Sequence, residues 1–312
     1  MTSVTGEKRV IIINIFGGDP DKLPQRQKAV SEFNSAIASG SIQGLEVLSS
    51  NAEDALGWGI GTLHQRENAV LVTAGDTGKV IELAAKPIIG YLGNVRKTPM
   101  VLAGILPKLR GFCVFVDMGG TFLPTLPVLT WSAIAGRVVA QVIFGKDSPT
   151  IGFLNEGEEA DKGGKIARIR QEIERQFTEL GPITNVEPNR IFETDCDVIV
   201  TSGFIGNVCI KSCEGTIELI QKTIIKRCKR QPYLLPLAWF FDQLSTLFLA
   251  DLDWRIHSGA YCLGCSKPVI ITHSRCDKKG FFHALVKASQ PKTLEIWRTL
   301  SSNPLVEQWI ES

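Results

Sequence analysis

This sequence predicts a three-layer α/β fold, in which a parallel β-sheet lies between two layers of helices. Short β-branched runs, such as residues 69–73 and 197–201, have the composition of buried parallel strands. Stretches with apolar residues spaced for one face of a helix alternate with these runs. A chain of 312 residues, 44% of them hydrophobic, is long enough to bury a large core. We therefore expect a Rossmann-like unit that forms a single domain over residues 1–312.

The predicted elements follow one another along the chain in alternation. Apolar, β-branched runs predict strands at 10–15, 45–48, 69–73, 100–103, 112–116, 150–154 and 197–201. Apolar residues at helical spacing predict helices at 24–39, at 53–66, from about 79 through 85, at 127–144, at 163–180 and around 208–220. Since parallel strands need long crossover connections, this alternation favours a parallel sheet with helices on both faces.

Composition and charge exclude several classes of protein. A formal net charge of +2 gives no indication of a nucleic-acid-binding surface. The chain passes from Met1 through Lys8 and Arg9 directly into the first predicted strand, so we expect no signal peptide. Eight scattered cysteines in such a chain are typical of reduced core residues in a cytosol. No uninterrupted apolar run reaches the length of a membrane span, and we expect a soluble, intracellular protein.

Small, polar turns follow at least five of the predicted strands. They are Gly17-Gly18-Asp19, Gly75-Asp76-Thr77-Gly78, Asp117-Met118-Gly119-Gly120, Asn155-Glu156-Gly157-Glu158 and Gly203-Phe204-Ile205-Gly206-Asn207. Each turn alone is compatible with an ordinary connection between a strand and a helix. Because the carboxyl ends of neighbouring parallel strands lie at one edge of the sheet, we expect the turns to converge on one crevice. Neither a P-loop nor a G-x-G-x-x-G fingerprint is present, which argues against those two kinds of nucleotide site.

Several turns belong to longer motifs, and these resemble a known family. The motifs are Phe16 to Asp19, Thr73 to Gly78, Leu154 to Gly163, Asn185 to Glu187, Ser202 to Gly215, His257 to Gly264 and Thr272 to Ser274. Over nearly the whole chain they are similar to the bacterial phosphate acyltransferase family, which transfers a fatty acyl group from acyl carrier protein to inorganic phosphate for phospholipid synthesis. The resemblance implies the fold of that family, which is of the isocitrate dehydrogenase-like type and carries a protruding helical hairpin.

The resemblance implies direct acyl transfer, in which phosphate attacks the thioester carbonyl and no cofactor or metal takes part. Lys162 then contacts the phosphate or the oxyanion, Asn207 donates a hydrogen bond to the carbonyl, and His273 orients phosphate or transfers a proton. The substrate-binding residues implied are Gly17, Gly18, Asp19, Asp76, Thr77, Gly78, Asn155, Gly157, Glu158, Ser202, Gly203 and Gly206. On sequence alone, a buried histidine that caps a strand end explains His273 equally well. A solvated loop lysine is the alternative for Lys162, and only the family spacing argues against it.

The chain departs from the family pattern at several of these positions. Asp76 and Thr121 stand where the family has Asn, Ser202 where it has Asp, and Ser274 where it has Gly. A basic K-K-x-S-S segment that the family has before position 70 is absent. A carboxylate at position 76 and the loss of two lysines make the region less suited to phosphate. Three alternatives therefore stay open: an active phosphate acyltransferase, a weak or inactive homologue that acts as a binding or regulatory protein in lipid synthesis, and an acyltransferase that uses acyl-coenzyme A.

A zinc site is an alternative interpretation of one cysteine-rich stretch. Cys262, Cys265, His273 and Cys276 have a spacing similar to that of zinc ligands. The family has apolar residues at the first two of these positions, and a reduced cysteine is a small core hydrophobe. None of the eight cysteines lies in a recognisable Cys/His catalytic signature. We expect neither a metal site nor a cysteine nucleophile.

Residues 215–256 are expected to leave the sheet as a helical excursion. In the family this region pairs two subunits, which implies a homodimer. The first helix of the excursion has an apolar face made of Ile217, Ile220, Ile224 and Ile225. Basic residues at 222–230 then precede an apolar, aromatic segment at 232–250, a combination that favours peripheral contact with an anionic membrane surface. Burial of that segment in the dimer is the alternative, and the resemblance implies a bacterial cytoplasmic protein at the inner face of the membrane.

Overall fold

Ten strands form one mixed β-sheet in the computed structural model of this chain, which describes residues 9–14, 19–43, 45–50, 55–84, 98–230, 233 and 254–311. The strands are β1 (Arg9–Asn14), β2 (Leu45–Ser50), β3 (Ala69–Thr73), β4 (Val101–Lys108), β5 (Gly111–Val116), β6 (Ile151–Leu154), β7 (Ile183–Val186), β8 (Val198–Val200), β9 (Ala260–Leu263) and β10 (Val269–Ile271). Their order across the sheet is β2-β1-β3-β10-β9-β4-β5-β8-β6-β7.

Strand direction divides the sheet into two halves. β1, β2, β3 and β10 run parallel to one another, and so do β5, β6, β7 and β8. Between the halves, β9 is antiparallel to β10, and β4 is antiparallel to both β9 and β5. Three antiparallel pairings in succession reverse the second half relative to the first. The carboxyl ends of the two sets of parallel strands therefore lie at opposite edges of the sheet.

Helices account for most of the other described residues. They are α1 (Leu23–Ala38), α2 (Ala55–Gln65), α3 (Thr77–Ala84), α4 (Leu126–Phe144), α5 (Lys165–Gln176), α6 (Gly203–Arg230), α7 (Lys278–Ser289), α8 (Pro291–Ser301) and α9 (Pro304–Glu311). Helices contribute to the cores on both faces of the sheet, as β5 illustrates. Its residues Val114 and Val116 belong to the core that contains α4, whereas Cys113 and Phe115 point the other way, into a second core against which Ile210 of α6 packs. The predicted three-layer α/β architecture is confirmed.

The prediction that all five turns converge on one crevice is wrong for the turn after β6, whereas residues of the turns after β3, β5 and β8 line one cleft. That expectation assumed that every strand of the sheet runs in the same direction. The turn after β3 starts at one edge, and those after β5, β6 and β8 start at the opposite edge, because β4 and β5 form an antiparallel hairpin. Residues 104–108, which we expected to lie outside a strand, extend β4 to within two residues of β5.

Helix α6 begins earlier than the sequence predicts. The glycines at 203 and 206, expected to form a turn, lie in its first two turns. A side chain at either position would overlap the loop after β5: at Gly206 the carbonyl oxygen of Asp117, and at Gly203 the backbone of Thr121. Glycine is therefore needed here for close packing of a helix on a loop, and helical propensity is overridden.

The excursion at 215–256 is described only in part. Its first section continues α6 to Arg230. Ile217, Ile220 and Ile224 lie on this section and are between 45% and 54% exposed. These side chains leave an apolar surface uncovered in the single chain, and the homodimer stays a prediction. The proposed membrane segment 232–250 lies outside the described residues except for Tyr233.

Among the described residues, one helix, α4, is long and apolar enough to cross a membrane, judged by length and composition alone. Eleven of its residues are nevertheless buried within the protein, among them Trp131 and Ile134. Thr125 caps its first turn by accepting a hydrogen bond from the backbone N–H of Val128, and Gly145 ends it in a left-handed conformation. The burial of these residues and the caps at both ends are those of a helix in the centre of a packed core.

Lys287, near the end of α7, has a buried ammonium group. Its side chain lies over the ring of Tyr261, with Nζ 5.3 Å from the ring centroid. The Nζ atom donates hydrogen bonds to the carbonyl oxygens of His257 and Gly259, in the segment that leads into β9. Burial lowers the pKa of Lys287 to about 7.

We expect Lys287→Met to flatten the dependence of stability on pH. The unfolded chain holds this proton up to a pKa of 10.5, whereas the folded chain releases it above about 7. Between these values the unfolded state binds more protons, so Lys287 makes the free energy of unfolding rise with pH by up to about 1.4 kcal/mol per unit. Denaturant unfolding at about pH 7.5 and about pH 9.5 measures this, with the exposed Lys279→Met of the same helix as control. Equal pH dependence in wild type and Lys287→Met contradicts the prediction.

Candidate active site

A cleft of about 440 Å³ opens beside β4, between helix α6 and the turns that follow β3 and β10. One end is polar and is formed by residues 75–78 and 272–274. The middle is lined on one side by residues 257–260. The other end is apolar, with Leu102, Ile105, Leu106, Met118 and Ile210 in its walls. A concave site with one polar and one apolar end suits a ligand that has both kinds of group.

One face of helix α6 lines the cleft with four residues: Asn207, Ile210, Lys211 and Glu214. Their spacing of three, four and seven residues places them on one side of the helix. Because α6 starts beside the carboxyl end of β8, it carries these side chains from one edge of the sheet towards the turn after β10. The helix thus joins the two edges that the reversal of strand direction separates.

Two nitrogen donors face each other at the polar end. The Nζ atom of Lys211 lies 3.3 Å from Nε2 of His273. The other ring nitrogen, Nδ1, accepts a hydrogen bond of 3.1 Å from the backbone N–H of Arg275, so the neutral ring carries its hydrogen on Nε2. The ammonium group of Lys211 can likewise only donate, so neither of these two nitrogen atoms accepts a hydrogen bond from the other. Both are placed to donate to one shared acceptor in the cleft.

Burial and, to a smaller extent, neighbouring charges shift two pKa values at this donor pair. Burial, Lys211 and Arg275 lower the pKa of His273, in that order of importance. The ring is therefore held in its neutral form, as the hydrogen-bond pattern requires. Burial also raises the pKa of Glu214, one turn further along α6, while Lys211 acts in the opposite direction. A neutral imidazole, a cation and a carboxyl group with a raised pKa line the same cleft.

The first residues of α3 complete the polar end. Thr77 and Gly78 begin this helix and line the cleft. The first N–H groups of a helix lack partners within the helix and attract anions. Asp76 precedes them, and its Oδ1 atom accepts a hydrogen bond of 3.0 Å from the N–H of Lys79, as a helix cap does. Its exposed carboxylate adds a negative charge at the same place.

At the opposite edge of the sheet, the buried carboxylate of Asp117 organises the loop after β5. Four backbone N–H groups donate to it, with distances of 2.9 Å from Leu102, 3.1 Å from Gly119, 2.7 Å from Gly120 and 2.8 Å from Thr121. Burial raises the pKa of Asp117, and the hydrogen bonds oppose that shift. The start of α6 packs against this loop, so Asp117 fixes the position of the helix that carries Asn207 and Lys211.

The loop after β6 also lies at that opposite edge. Asn155 is buried and donates from Nδ2 to the carbonyl oxygen of Lys162 at 2.9 Å. The side chain of Lys162 is exposed, and its stem covers Gly157. Glu158 is exposed and lies 4.0 Å from Arg190. These contacts shape the loop itself, and none of the four predicted residues is among those that line the cleft.

The structure brings together five of the residues predicted for substrate binding or catalysis: Asp76, Thr77, Gly78, Asn207 and His273. Asp19 lies beside them, because its N–H donates to the carbonyl oxygen of Ser274. Ser202, Gly203 and Gly206 lie at the start of α6 behind the cleft, and the Ser202 hydroxyl is buried without a hydrogen-bond partner among the described residues. Gly17 and Gly18 lie outside the described residues.

Sequence reasoning missed Lys211 and Glu214 as site residues. Both belong to the run from Ser202 to Gly215, which we singled out for its glycines and for Asn207. They follow Asn207 by four and seven residues, and this spacing was a signal that the same helix face presents all three.

The cysteines of the zinc-like stretch make other contacts. The Cys265 thiol donates to the carbonyl oxygens of Cys262 and Lys267 at 3.0 and 3.1 Å. The Cys276 sulfur lies 3.4 Å from the hydroxyl of Ser258. All three cysteines are buried core residues, whereas His273 faces the cleft.

Comparison with known proteins gives matches of sequence and of fold. The family described as fatty acid synthesis protein matches residues 27–296 of this chain. The phosphate acyltransferase of Aeromonas salmonicida (strain A449) is 33% identical over 220 residues, which are 70% of this chain and 63% of the relative. The phosphate acyltransferase of Caldanaerobacter subterraneus subsp. tengcongensis is 31% identical over 231 residues, 74% of this chain and 68% of the relative. The chain spans less than two thirds of the length of the Aeromonas relative.

A solved structure shares the fold over almost the full chain. The branched-chain phosphotransacylase from Enterococcus faecalis V583 superposes with a TM-score of 0.54 and covers 91% of this chain and 99% of its own. The two sequences are 15% identical, so this likeness shows the fold alone. The α/β class and its layer arrangement agree with the expectation from the sequence motifs.

Proposed function

Since this chain belongs to the phosphate acyltransferase family, we propose that it transfers an acyl group from a thioester to inorganic phosphate. An oxygen of hydrogen phosphate forms a bond with the thioester carbonyl carbon, and the carbon–sulfur bond breaks. The phosphate hydroxyl loses its proton, and the leaving sulfur gains one, so the products are an acyl phosphate and a thiol. The polar end of the cleft holds the phosphate, and the apolar end holds the acyl group.

The observation that carries this proposal is the pair of facing donors, Lys211 and His273. An ammonium group and an imidazole N–H that lie 3.3 Å apart are both stabilised when one anion accepts hydrogen bonds from both. Inorganic phosphate offers several acceptor oxygens and a negative charge, which matches an ammonium group beside a neutral imidazole. The start of α3 at Thr77 adds backbone N–H groups to the same end.

The acyl carbonyl is assigned to the middle of the cleft, beside Asn207. Its side chain is half-buried on α6, one turn before Lys211. An amide N–H there stabilises the negative charge that develops on the carbonyl oxygen during attack by phosphate. Glu214 lies one turn beyond Lys211, and its raised pKa suits a group that accepts a proton from the phosphate hydroxyl and passes it on.

Acyl carrier protein is the proposed acyl donor, on the strength of the motifs shared with the family. The same motifs support a homodimer at an anionic membrane surface, and the exposed isoleucines of α6 supply an apolar face for a subunit contact. Coenzyme A presents the same pantetheine thioester without a protein partner. Both donors therefore need to be compared.

Formation of acyl phosphate tests the proposal directly. Purified protein is incubated with inorganic phosphate and a long-chain acyl thioester of either acyl carrier protein or coenzyme A, and acyl phosphate is trapped with hydroxylamine. We expect product with acyl carrier protein as the better donor. If neither thioester gives product, the enzyme proposal is lost. Product with coenzyme A alone retains the reaction and removes acyl carrier protein as the donor.

Asp76→Asn is expected to tighten phosphate binding. The substitution removes a carboxylate from the phosphate end, and an asparagine Oδ1 atom still caps α3 through the N–H of Lys79. Loss of about 1 kcal/mol of charge repulsion lowers KM for phosphate roughly fivefold, with little change in kcat. The control is Asp161→Asn, an exposed carboxylate in the loop after β6. An unchanged or higher KM in Asp76→Asn contradicts a phosphate site beside this residue.

A further inference from the structure

Two residues in the wall of the apolar end of the cleft, Gly104 and Met118, lie against each other. Met118 follows β5, and its backbone N–H donates to the carbonyl oxygen of Leu102, which anchors it beside β4. Its side chain is partly buried and packs against both hydrophobic cores. It therefore lies at the boundary between the two faces of the sheet, and it lines the apolar end of the cleft.

Gly104 of β4 makes room for that side chain. Gly104 pairs with Phe115 across the β4–β5 hairpin and shares with it the face of the sheet that α6 covers. A methyl group at position 104 would overlap the sulfur of Met118. The space left free by the glycine is thus occupied by the end of the methionine side chain. Any side chain at 104 forces Met118 to move, and the cleft that both residues line is the open space beside them.

We propose that Gly104 and Met118 together set the length of the acyl chain that the cleft accepts. This inference rests on the proposed acyl transfer, because it places the hydrocarbon chain between β4 and Ile210 of α6. Methionine is unbranched and flexible, so its position responds to the volume of its neighbour. An added group at 104 pushes the side chain into the acyl site, and truncation at 118 opens the site.

The two substitutions are expected to shift chain-length preference in opposite directions. Gly104→Ala shortens the preferred acyl chain, and each methylene that no longer fits costs about fourfold in kcat/KM. Met118→Ala removes three heavy atoms from the end of the site and extends the preference by roughly two carbons. The double variant restores room that the alanine at 104 takes away, so its preference returns towards that of the wild type. Independent opposite effects also cancel, so contact is shown by a non-additive double variant, in which Gly104→Ala costs less than it does in the wild-type background.

The experiment measures kcat/KM with phosphate for acyl thioesters of about four to about sixteen carbons. It uses wild type, both single variants, the double variant and Leu109→Ala, an exposed residue outside the cleft, as control. Thermal unfolding identifies a variant that fails to fold. If Gly104→Ala is unfolded, Met118→Ala against wild type and Leu109→Ala still decides the direction of the shift.

Two outcomes separate this inference from the proposed function. If wild type makes acyl phosphate and all folded variants share one chain-length profile, the inference is overturned and the reaction stands. If wild type makes no acyl phosphate, the proposed reaction fails, and equilibrium binding of acyl-coenzyme A thioesters of the same chain lengths tests the inference instead. Opposite shifts in the chain length bound by Gly104→Ala and Met118→Ala support it, and equal profiles overturn it.

Discussion

Lys211→Ala is expected to lower kcat/KM for phosphate by about 100-fold or more. The substitution removes the cation of the facing donor pair and leaves the phosphate with the imidazole of His273 and the start of α3. A charge-assisted hydrogen bond to phosphate is about twice as strong as a neutral one, and its charge continues to act as phosphate becomes an acyl phosphate. Lys211→Arg keeps the charge with a different donor geometry and retains part of the activity.

Two other lysines make this prediction specific. Lys222 lies on the same helix, where it pairs with Glu218 at 2.8 Å, and Lys222→Ala is expected to keep wild-type kinetics. Lys162 is the cation that the sequence motifs favour, and its exposed side chain lies in the loop after β6, away from the residues that line the cleft. We expect Lys162→Ala to stay within about threefold of wild type. If kcat/KM for phosphate falls further in Lys162→Ala than in Lys211→Ala, Lys162 is the cation that binds phosphate, as the sequence motifs indicate.

The strands of this fold are predictable from sequence because burial on both sides requires continuous apolar, β-branched runs. Residues 69–73 were predicted to the residue, and 112–116 to within one residue. Strand direction is not encoded in such runs. The reversal depends on the two residues, Leu109 and Arg110, that join β4 to β5, and neither the glycine nor the asparagine that marks a tight hairpin turn is among them.

The candidate site shows the same division between local and long-range information. Asn207 and His273 were predicted from motifs, but they are 66 positions apart and come from different halves of the sheet. Their proximity depends on the length of α6, which crosses from one edge to the other. The sequence pattern predicted a glycine turn where α6 begins. The glycines are needed there because the helix packs against the loop after β5, which is distant in sequence.

Asp117→Ala is expected to cause the largest loss of stability. The side chain is fully buried, and its two oxygens accept hydrogen bonds from four backbone N–H groups. Removing the carboxylate leaves these donors inside the protein without an acceptor, at about 1–3 kcal/mol each. Relaxation of the loop and entry of water recover part of this, so we expect the free energy of unfolding to fall by about 4 kcal/mol or more.

Denaturant unfolding of Asp117→Ala, Asp117→Asn and the exposed control Asp161→Ala measures this loss. Asparagine keeps one acceptor oxygen but directs an NH2 group at one of the donors, so an intermediate loss is expected. Because Gly206 packs on the carbonyl group of Asp117, collapse of the loop also displaces Asn207 and Lys211 from the cleft. Asp117→Ala should therefore lose acyl transfer at temperatures where it is still folded. A variant within about 1 kcal/mol of wild type shows that the loop is held by other contacts, and that α6 does not depend on this carboxylate for its position.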